Sequence, residues 1–356
     1  MKYSIFFLII FSLSISCSKN NIDNKSAKEW NNKGNALDNL GKHEEAIQCY
    51  NKAIELKNDY FLAWVNKGCA LEELEKHEQA IKCFDKAIEL KPDSSFAWYN
   101  KGFVLFNLGE YEDAIKHFDK AIKLEPNDYA VWINKGSALT KLENYEEAIK
   151  CFEKAIELKF DSYEAWFNKG NIFIILEKYE EAIKYFDKAI GIKPDKDEAW
   201  FNKGNTLVYL ENYEEAIKCY DKVIELKPDF SEALYGKGTT LFHLSNYEEA
   251  IIYFNQAIKL KPYDYASIYN KGLALVQLNK YDEAINCLNK AIEFKPDFIQ
   301  AFYNKAYAYS LMKNKKDMLI NLKKAIELYD KCKEEAKKEK AFKAYWDDPD
   351  FKKLVE

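Results

Sequence analysis

Apolar positions recur along this chain with a helical spacing that restarts every 34 residues. The stretch 197–230 shows one period. At 100° per residue, Trp200, Gly204 and Leu207 fall within about 60° of one another and form one apolar stripe. A second stripe, again at spacings of three and four, occupies residues 213–224. Each period therefore predicts two short helices, neither of which can bury its apolar stripe without a neighbour.

The pattern continues without insertion or deletion over residues 27–332, which makes nine units. A large apolar residue and a small residue four positions later recur at fixed places in each unit. An alanine and a ring also recur, except that Leu288 and Leu322 replace the ring and Met318 replaces the alanine of the ninth unit. A fixed period of this size is the signature of stacked repeats in which each unit packs on its neighbours. The tryptophan column comprises Trp30, Trp64, Trp98, Trp132, Trp166 and Trp200, and the glycine column comprises Gly34, Gly68, Gly102, Gly136, Gly170, Gly204, Gly238 and Gly272.

These columns resemble the tetratricopeptide repeat, whose motif combines Trp, Gly, Ala and a ring with a closing proline. The chain departs from it at two columns, where the motif's Leu is Lys, from Lys33 to Lys305, and its Tyr is mostly Leu. We expect each Lys to lay its aliphatic stem on the neighbouring helix and to keep its ammonium in water. The resemblance implies an all-α fold: a right-handed superhelical solenoid of nine helix-turn-helix repeats with a C-terminal capping helix.

The two ends of the chain differ from the repeats. Residues 1–16 contain an apolar run, 5–13, that is shorter than the roughly 20 residues of a spanning helix and indicates a secretory signal peptide. Residues 17–26 predict a short polar tether. Residues 333–356 predict a capping helical segment that closes the exposed end of the stack. Its inward-facing residues are expected to be Phe342, Trp346, Phe351 and Leu354.

Cys17 follows small residues and resembles the cysteine of a bacterial lipobox, although Leu13 stands one position earlier than that pattern prefers. The resemblance implies a lipidated N-terminus that anchors the protein in the bacterial cell envelope, on the periplasmic side or as an outer-membrane lipoprotein. Residues 14–16 also suit ordinary signal cleavage, and Cys17 would then be a leftover cysteine. Membrane contact is expected only through this anchor.

The remaining composition argues against several classes of function. A net charge of −5 with interspersed charges disfavours nucleic acid, which requires a basic stripe. No metal-ligand spacing, phosphate loop or nucleophile motif is present, so we expect no metal, no cofactor and no enzymatic activity. One cysteine column lies on the second helices, which are spaced roughly 8–10 Å apart and exceed the ~7 Å limit for a disulfide, so free thiols are expected. It comprises Cys49, Cys83, Cys151, Cys219 and Cys287.

An asparagine stands two residues after each Trp position, about 200° around the helix from it. This column resembles the asparagine ladder of the O-linked N-acetylglucosamine transferases, in which side-chain amides hold the backbone of an extended peptide. The resemblance implies that the column lines a concave groove. In the alternative, each amide bonds only within its own scaffold. The column comprises Asn32, Asn66, Asn100, Asn134, Asn168 and Asn202, is broken at Gly236, and continues with Asn270 and Asn304.

Other residues on this face would select the ligand. Phe96 and Phe103 offer an apolar anchor beside Asn100, and Glu164, Glu198 and Glu232, one repeat apart, would attract a basic stretch. The predicted function is a non-enzymatic interaction scaffold or adaptor of the bacterial cell envelope that binds an extended peptide or partner protein. The alternative is a glycan-binding envelope lipoprotein whose groove aromatics stack on sugars.

Overall fold

A computed structural model of the chain describes residues 26–356, and the regular structure in that range is helical throughout. The chain divides into two units between Ile172 and Phe173. The described part of unit 1 is 26–172, and unit 2 is 173–356. The predicted signal peptide and Cys17 lie outside the described residues. Nowhere in 26–356 is a helix both long enough and apolar enough to cross a bilayer.

The helices come in consecutive pairs, with a first helix and a second helix in each repeat. Unit 1 contains α1 (26–38), α2 (His43–Leu56), α3 (Phe61–Glu73), α4 (His77–Leu90), α5 (Ser95–Asn107), α6 (Tyr111–Leu124), α7 (Tyr129–Lys141) and α8 (Tyr145–Leu158). Helix α9 (Tyr163–Ile175) crosses the boundary between the units. Unit 2 contains α10 (Tyr179–Ile192), α11 (Asp197–Tyr209), α12 (Tyr213–Leu226), α13 (Ser231–His243), α14 (Tyr247–Leu260), α15 (Tyr265–Gln277), α16 (Tyr281–Phe294), α17 (Ile299–Leu311) and α18 (Lys315–Leu328).

First helices pack on their own second helix and on the second helix of the preceding repeat, from α3 to α7 in unit 1 and from α11 to α17 in unit 2. Successive first helices also contact one another: α3, α5 and α7 in unit 1, and α11, α13, α15 and α17 in unit 2. Within each unit they therefore make a continuous layer. We call the solvent side of this layer the first-helix face.

The glycine column allows the two helices of a repeat to approach closely. A Cβ on Gly34 would lie 2.4 Å from a ring carbon of Tyr50, and one on Gly68 would lie 2.7 Å from the ring of Phe84. Side chains do not tolerate such distances, so the ring occupies the space that a side chain would need. The packing role predicted for the glycine column is confirmed at these positions.

The turn between the helices of a repeat has the same backbone conformation in both units. In α3 the turn closes with bonds from the N–H of Glu75 to the carbonyl of Glu72 and from that of Lys76 to Leu71, which is a Schellman motif. Glu75 has a positive φ of 55°. The same left-handed conformation recurs at Gly41, Gly109, Glu143, Glu177, Glu211, Ser245, Asn279 and Lys313.

The tryptophan column is half-buried rather than fully enclosed. Each indole N–H from Trp64 to Trp200 donates to the backbone carbonyl six residues earlier, as Trp98 does to Pro92 at 2.9 Å. The indole therefore ties the start of a first helix to the loop that precedes it. The sequence predicted the packing of this column but not this hydrogen bond.

The lysine column differs from the expectation that its ammonium groups lie in water. Lys135 Nζ lies 2.6 Å from Asp119, and Lys203 Nζ lies 2.6 Å from Asp187, in each case on the preceding second helix. Lys237 is buried and bonds to the carboxylate of Asp221. The correction follows from the repeat itself, because an acidic residue recurs sixteen positions before these lysines.

The C-terminal segment covers the end of unit 2 as three short elements rather than one helix: α19 (Cys332–Ala336), a 3₁₀ helix (Lys340–Tyr345) and α20 (Pro349–Val355). The interruption has a local cause, because Pro349 starts α20 and Asp348 caps it by accepting from the N–H of Asp350 at 3.0 Å. Phe342 and Phe351 are fully buried, with their ring centroids 6.0 Å apart.

Candidate functional site

The asparagine ladder lies on the first-helix face of both units. Its members are half-buried, apart from Asn32, which is exposed, so their amides are neither enclosed in the core nor loose in solvent. Unit 1 holds Asn66, Asn100, Asn134 and Asn168, and unit 2 holds Asn202, Asn270 and Asn304.

Three ladder amides are held by a tyrosine of the preceding repeat. Asn134 Nδ2 donates to the Tyr99 hydroxyl at 2.9 Å, and Asn304 Nδ2 donates to the Tyr269 hydroxyl at 2.9 Å. Asn270 has the same bond, at 3.0 Å, to Tyr235. Burial raises the pKa of these phenols, that of Tyr269 to about 12, so they remain neutral hydroxyls. In the sequence, each of these tyrosines directly follows a residue of the Trp column. Their hydrogen bonds to the ladder were not predicted from that position.

Ladder amides also bond to their own helices. Asn100 Nδ2 donates to the Phe96 carbonyl at 2.7 Å, and Asn270 and Asn304 donate to the carbonyls four residues before them. An amide whose nitrogen is held in this way keeps an oxygen acceptor on its other side. For Asn270 and Asn304 the scaffold alternative and the groove prediction therefore concern different atoms of the same side chain. The Asn100 oxygen also accepts from Cys69 Sγ at 3.8 Å.

The ladder begins in unit 1 with a cluster of three amides and a phenol. Asn66 Nδ2 donates to Asn31 Oδ1 at 3.1 Å and to Asn35 Oδ1 at 2.9 Å. The Tyr50 hydroxyl donates to the same Asn35 oxygen at 2.9 Å. Because Asn35 accepts from both, the phenol and the ladder amide fit side by side.

The ladder is interrupted in unit 2 at Gly236. A Cβ there would lie 2.9 Å from Tyr220 Cζ and 3.2 Å from its hydroxyl. The phenol of Tyr220 therefore fills the space that the Cβ of a ladder residue would need. The Tyr220 hydroxyl donates to Asn205 Oδ1 at 2.7 Å. The missing side chain leaves a cleft of about 580 Å³, the ladder-gap cleft. Its walls come from Ile174, Phe201, Asn202, Asn205, Val208, Tyr209, Tyr220, Glu232, Tyr235, Gly236, Thr239 and Thr240.

The two predicted aromatic anchors lie on α5 in unit 1. Phe96 is 53% exposed, although it is a large apolar side chain. Phe103 is half-buried, and its ring stacks on that of Tyr99 with centroids 6.3 Å apart. The second ring therefore supports the tyrosine that holds Asn134, while the first is open to a ligand.

The three predicted glutamates are exposed but are divided between the units, with Glu164 in unit 1 and Glu198 and Glu232 in unit 2. Glu232 forms an ion pair with Lys261. The hydrogen bond from this lysine lowers the pKa of the Glu232 carboxyl. Its charge is therefore already matched, which reduces what it can offer a basic ligand.

The described residues give little support to metal binding, thiol chemistry or sugar binding. No group of three or more His, Cys, Asp or Glu side chains in 26–356 could hold a metal ion. The seven cysteines in that range are free thiols, and burial is the main cause that raises the pKa of Cys151 and Cys219 to about 11. Indoles of the tryptophan column bond to backbone carbonyls, as described above, which removes their polar edge from sugar recognition.

Family comparisons follow the repeats. The model described as tetratricopeptide repeat matches residues 27–60, 61–94, 95–128, 129–161 and 163–196, and two further repeat models of that kind match 272–313 and 299–332. The chain belongs to the tetratricopeptide repeat family. A model described as anaphase-promoting complex, cyclosome, subunit 3 matches residues 210–291 of this tetratricopeptide repeat protein. The family membership confirms the resemblance inferred from the Trp, Gly, Ala and ring columns.

Two solved structures with TM-scores above 0.5 share the fold of this tetratricopeptide repeat protein, and a third is similar over about half of the chain. A tetratricopeptide repeat protein from Parabacteroides merdae is 18% identical, with a TM-score of 0.51 over 73% of this chain and 97% of that one. PilF of Pseudomonas aeruginosa is 21% identical, with a TM-score of 0.52 over 58% and 93%. YrrB, described as having an unusual peptide-binding site, is 30% identical, with a TM-score of 0.45 over 53% and 97%. A comparison with curated proteins finds no match.

Proposed function

We propose that this protein is a non-enzymatic scaffold that holds an extended peptide, or an extended segment of a partner protein, along its first-helix face. The observation that carries the proposal is the row of half-buried amides whose nitrogens are bonded to the scaffold. Such amides are pre-oriented, so binding does not require the freezing of a mobile side chain. Their oxygens accept N–H groups of a peptide backbone, and that recognition does not depend on sequence.

Two features support a protein ligand over a sugar. The exposed Phe96 offers an apolar anchor next to Asn100, and apolar anchors dominate the energetics of protein interfaces. The glycan alternative finds no support in the indoles, whose N–H groups are used internally. We therefore propose a protein ligand alone.

The test compares amides on the two kinds of helix. We replace Asn134, Asn270 and Asn304 together by Ala, and as a matched control we replace the exposed Asn255, Asn286 and Asn289 of second helices α14 and α16. A pull-down from envelope extract should recover at least ~10-fold less partner with the ladder variant, as expected for a loss of about 1.4 kcal/mol or more. The control should recover as much as the unaltered protein.

Equal recovery by both triple variants contradicts the ladder's role. The ladder variant also loses three bonds to tyrosines, so its circular dichroism and thermal midpoint are measured beside those of the control. A variant that unfolds at the assay temperature is replaced by the single change Asn100→Ala, because Asn100 Nδ2 donates to its own helix, at the Phe96 carbonyl.

We further propose that Cys17 carries the lipid and that the repeats work in the bacterial cell envelope, on the periplasmic side or at the outer membrane. The support is the position of this cysteine after an apolar leader with a small-residue end. Metabolic labelling with an alkyne fatty acid should mark the protein, and Cys17→Ser should abolish the label. Labelling that persists in the serine variant contradicts this assignment.

A further inference from the structure

The ladder-gap cleft is the place where the first-helix face of unit 2 departs from its own repeat. Every other repeat unit has an Asn at the ladder position, whereas this one has Gly236 over the phenol of Tyr220. We propose that the cleft receives one apolar side chain, branched aliphatic or aromatic, of the extended peptide. This inference rests on the proposed function and adds a preference at one position of the ligand.

Three hydroxyl groups of the cleft are engaged by the protein itself. The Tyr220 hydroxyl donates to Asn205, Thr239 Oγ1 donates to the Tyr235 carbonyl at 2.9 Å, and Thr240 Oγ1 donates to the Gly236 carbonyl at 2.7 Å. A polar or charged side chain that entered would lose water and find its partners taken, which is costly. An apolar side chain pays no such penalty.

The Tyr235 hydroxyl is engaged as well, because it accepts from Asn270 Nδ2. At the rim, the charge of Glu232 is paired with that of Lys261. The apolar part of the wall is formed by Ile174, Phe201 and Val208, and the amide residues Asn202 and Asn205 also line the cleft. The cleft therefore selects by shape and apolar surface rather than by charge.

The cleft is large enough to take an apolar side chain together with the peptide backbone that carries it. Its volume of about 580 Å³ lies within the range of roughly 300–1,000 Å³ that is usual for ligand pockets. Beside it, Tyr209 is 66% exposed and stacks flat on Tyr179, with ring centroids 5.1 Å apart. The two stacked rings form a flat, exposed surface beside the cleft, along which the peptide backbone can lie.

The test uses short peptides of alternating Ala and Ser, each with one varied central residue and a fluorescent label. With the full chain, we expect central Leu, Ile, Phe or Tyr to bind at least ~10-fold more tightly than central Ala, because a larger apolar surface leaves water when such a side chain is buried. Central Lys and Asp should bind no better than central Ala. A flat series, with equal binding of all peptides, overturns the cleft.

The filling variant is Gly236→Asn combined with Tyr220→Phe. It installs a pairing that unit 1 already uses, since Phe84 precedes Asn100 and Phe118 precedes Asn134 by the same sixteen residues. The preference for apolar central residues should disappear, while the peptide with central Ala should bind as before. A preference that survives in this variant overturns the inference and leaves the proposed function intact.

A second measurement does not depend on the folding of a variant. A peptide with central benzoylphenylalanine is photo-cross-linked to the unaltered chain, and the modified residues are located by mass spectrometry. We expect modification on α11 and α13, at Val208, Tyr209 or Thr239. Cross-links confined to other helices overturn the cleft alone, whereas failure of every peptide to bind or cross-link overturns the proposed function and the cleft together.

Discussion

Tyr50 in unit 1 and Tyr220 in unit 2 occupy the same column, in which most other repeats have Phe, yet their surroundings differ. Tyr50 shares the Asn35 oxygen with a ladder amide, Asn66, at 2.9 Å from each. Tyr220 has its own acceptor in Asn205, but the ladder residue beyond it is Gly236. Tyr50 thus lies beside an intact ladder residue, whereas Tyr220 fills the space where a ladder side chain would stand.

The difference teaches that a hydroxyl added to the core does not by itself determine what happens on the surface. In unit 1, Asn31 and Asn35 provide acceptors for the ladder amide next to the phenol. In unit 2 the Cβ of a ladder residue would collide with the Tyr220 ring, so the side chain is absent and a cleft results. A change in the ring column thus alters the first-helix face at the helix that the ring contacts.

The largest expected effect concerns two cysteines, each directly before a residue of the ring column. Their thiols should be equally unreactive in both units. Burial raises the pKa of Cys151 in unit 1 and of Cys219 in unit 2 from the ordinary value of a cysteine thiol to about 11. At pH 8 each should therefore react with iodoacetamide ~100-fold or more slowly in the folded chain than in urea, since the thiolate is the nucleophile. Peptide mass spectrometry measures both rates.

The same shifts have a consequence for stability. The folded-state pKa is raised, so this contribution is complete below about pH 9 and is lost as the pH rises towards 11. Replacement of both cysteines by Ala should flatten the decline of the unfolding free energy over that range. Equal rates of alkylation in the folded and unfolded chains would contradict the burial of these thiols.

The second prediction introduces a glycine at a ladder position of unit 1, as Gly236 has in unit 2. Asn66→Gly removes the amide that bonds to Asn31 and Asn35 and places a glycine inside α3. We expect a loss of about 2 kcal/mol in the free energy of unfolding, from two hydrogen bonds and the helix propensity of glycine. Urea titration measures it. The reverse change in unit 2 is Gly236→Asn with Tyr220→Phe, in which the smaller ring can move towards Gly204. It should cost less stability than Asn66→Gly, and equal losses would contradict the contrast.

The third prediction compares the two glycines that face these tyrosines. A Cβ on Gly34 would lie 2.4 Å from the Tyr50 ring, whereas one on Gly204 would lie 3.1 Å from the Tyr220 ring. Gly34→Ala should destabilise the protein by about 1–2 kcal/mol, because overpacking outweighs the gain in helix propensity. Gly204→Ala should be neutral or slightly stabilising. The opposite order in urea titrations would mean that the helices of the two repeats are spaced differently.

The smallest effects are expected at the turns, where the two units agree. Glu143 in unit 1 has a φ of 59° and Glu211 in unit 2 has a φ of 56°, a conformation that glycine adopts without strain. Glu143→Gly and Glu211→Gly should each raise the thermal midpoint, with a gain of about 0.5–1 kcal/mol. The control is Gly109→Ala, at a φ of 82°, which should lower it. A gain in one unit alone would break the equivalence of the turns.

The fold was predictable because its rules repeat. The Trp and Gly columns indicated which faces meet, and the Gly34 and Gly68 contacts confirm that packing. The same regularity identified the ladder, including its break at Gly236. The cleft was not predicted, because it depends on the distance between that glycine and a ring from another helix. The C-terminal cap, which has no repeat to follow, was predicted in its buried residues Phe342 and Phe351 but not in its division into three elements.

The central claim is that a partner lies along the first-helix face, and site-specific photo-cross-linking tests it most directly. Benzoylphenylalanine is placed at Phe96 or Tyr209 on first helices, and at Ile252 or Ile320 on second helices, four positions with exposures of 53%, 66%, 53% and 55%. The account predicts cross-links to partner protein from the two first-helix positions and none from the second-helix pair. Cross-links from the second helices alone, or equally from all four positions, would contradict it.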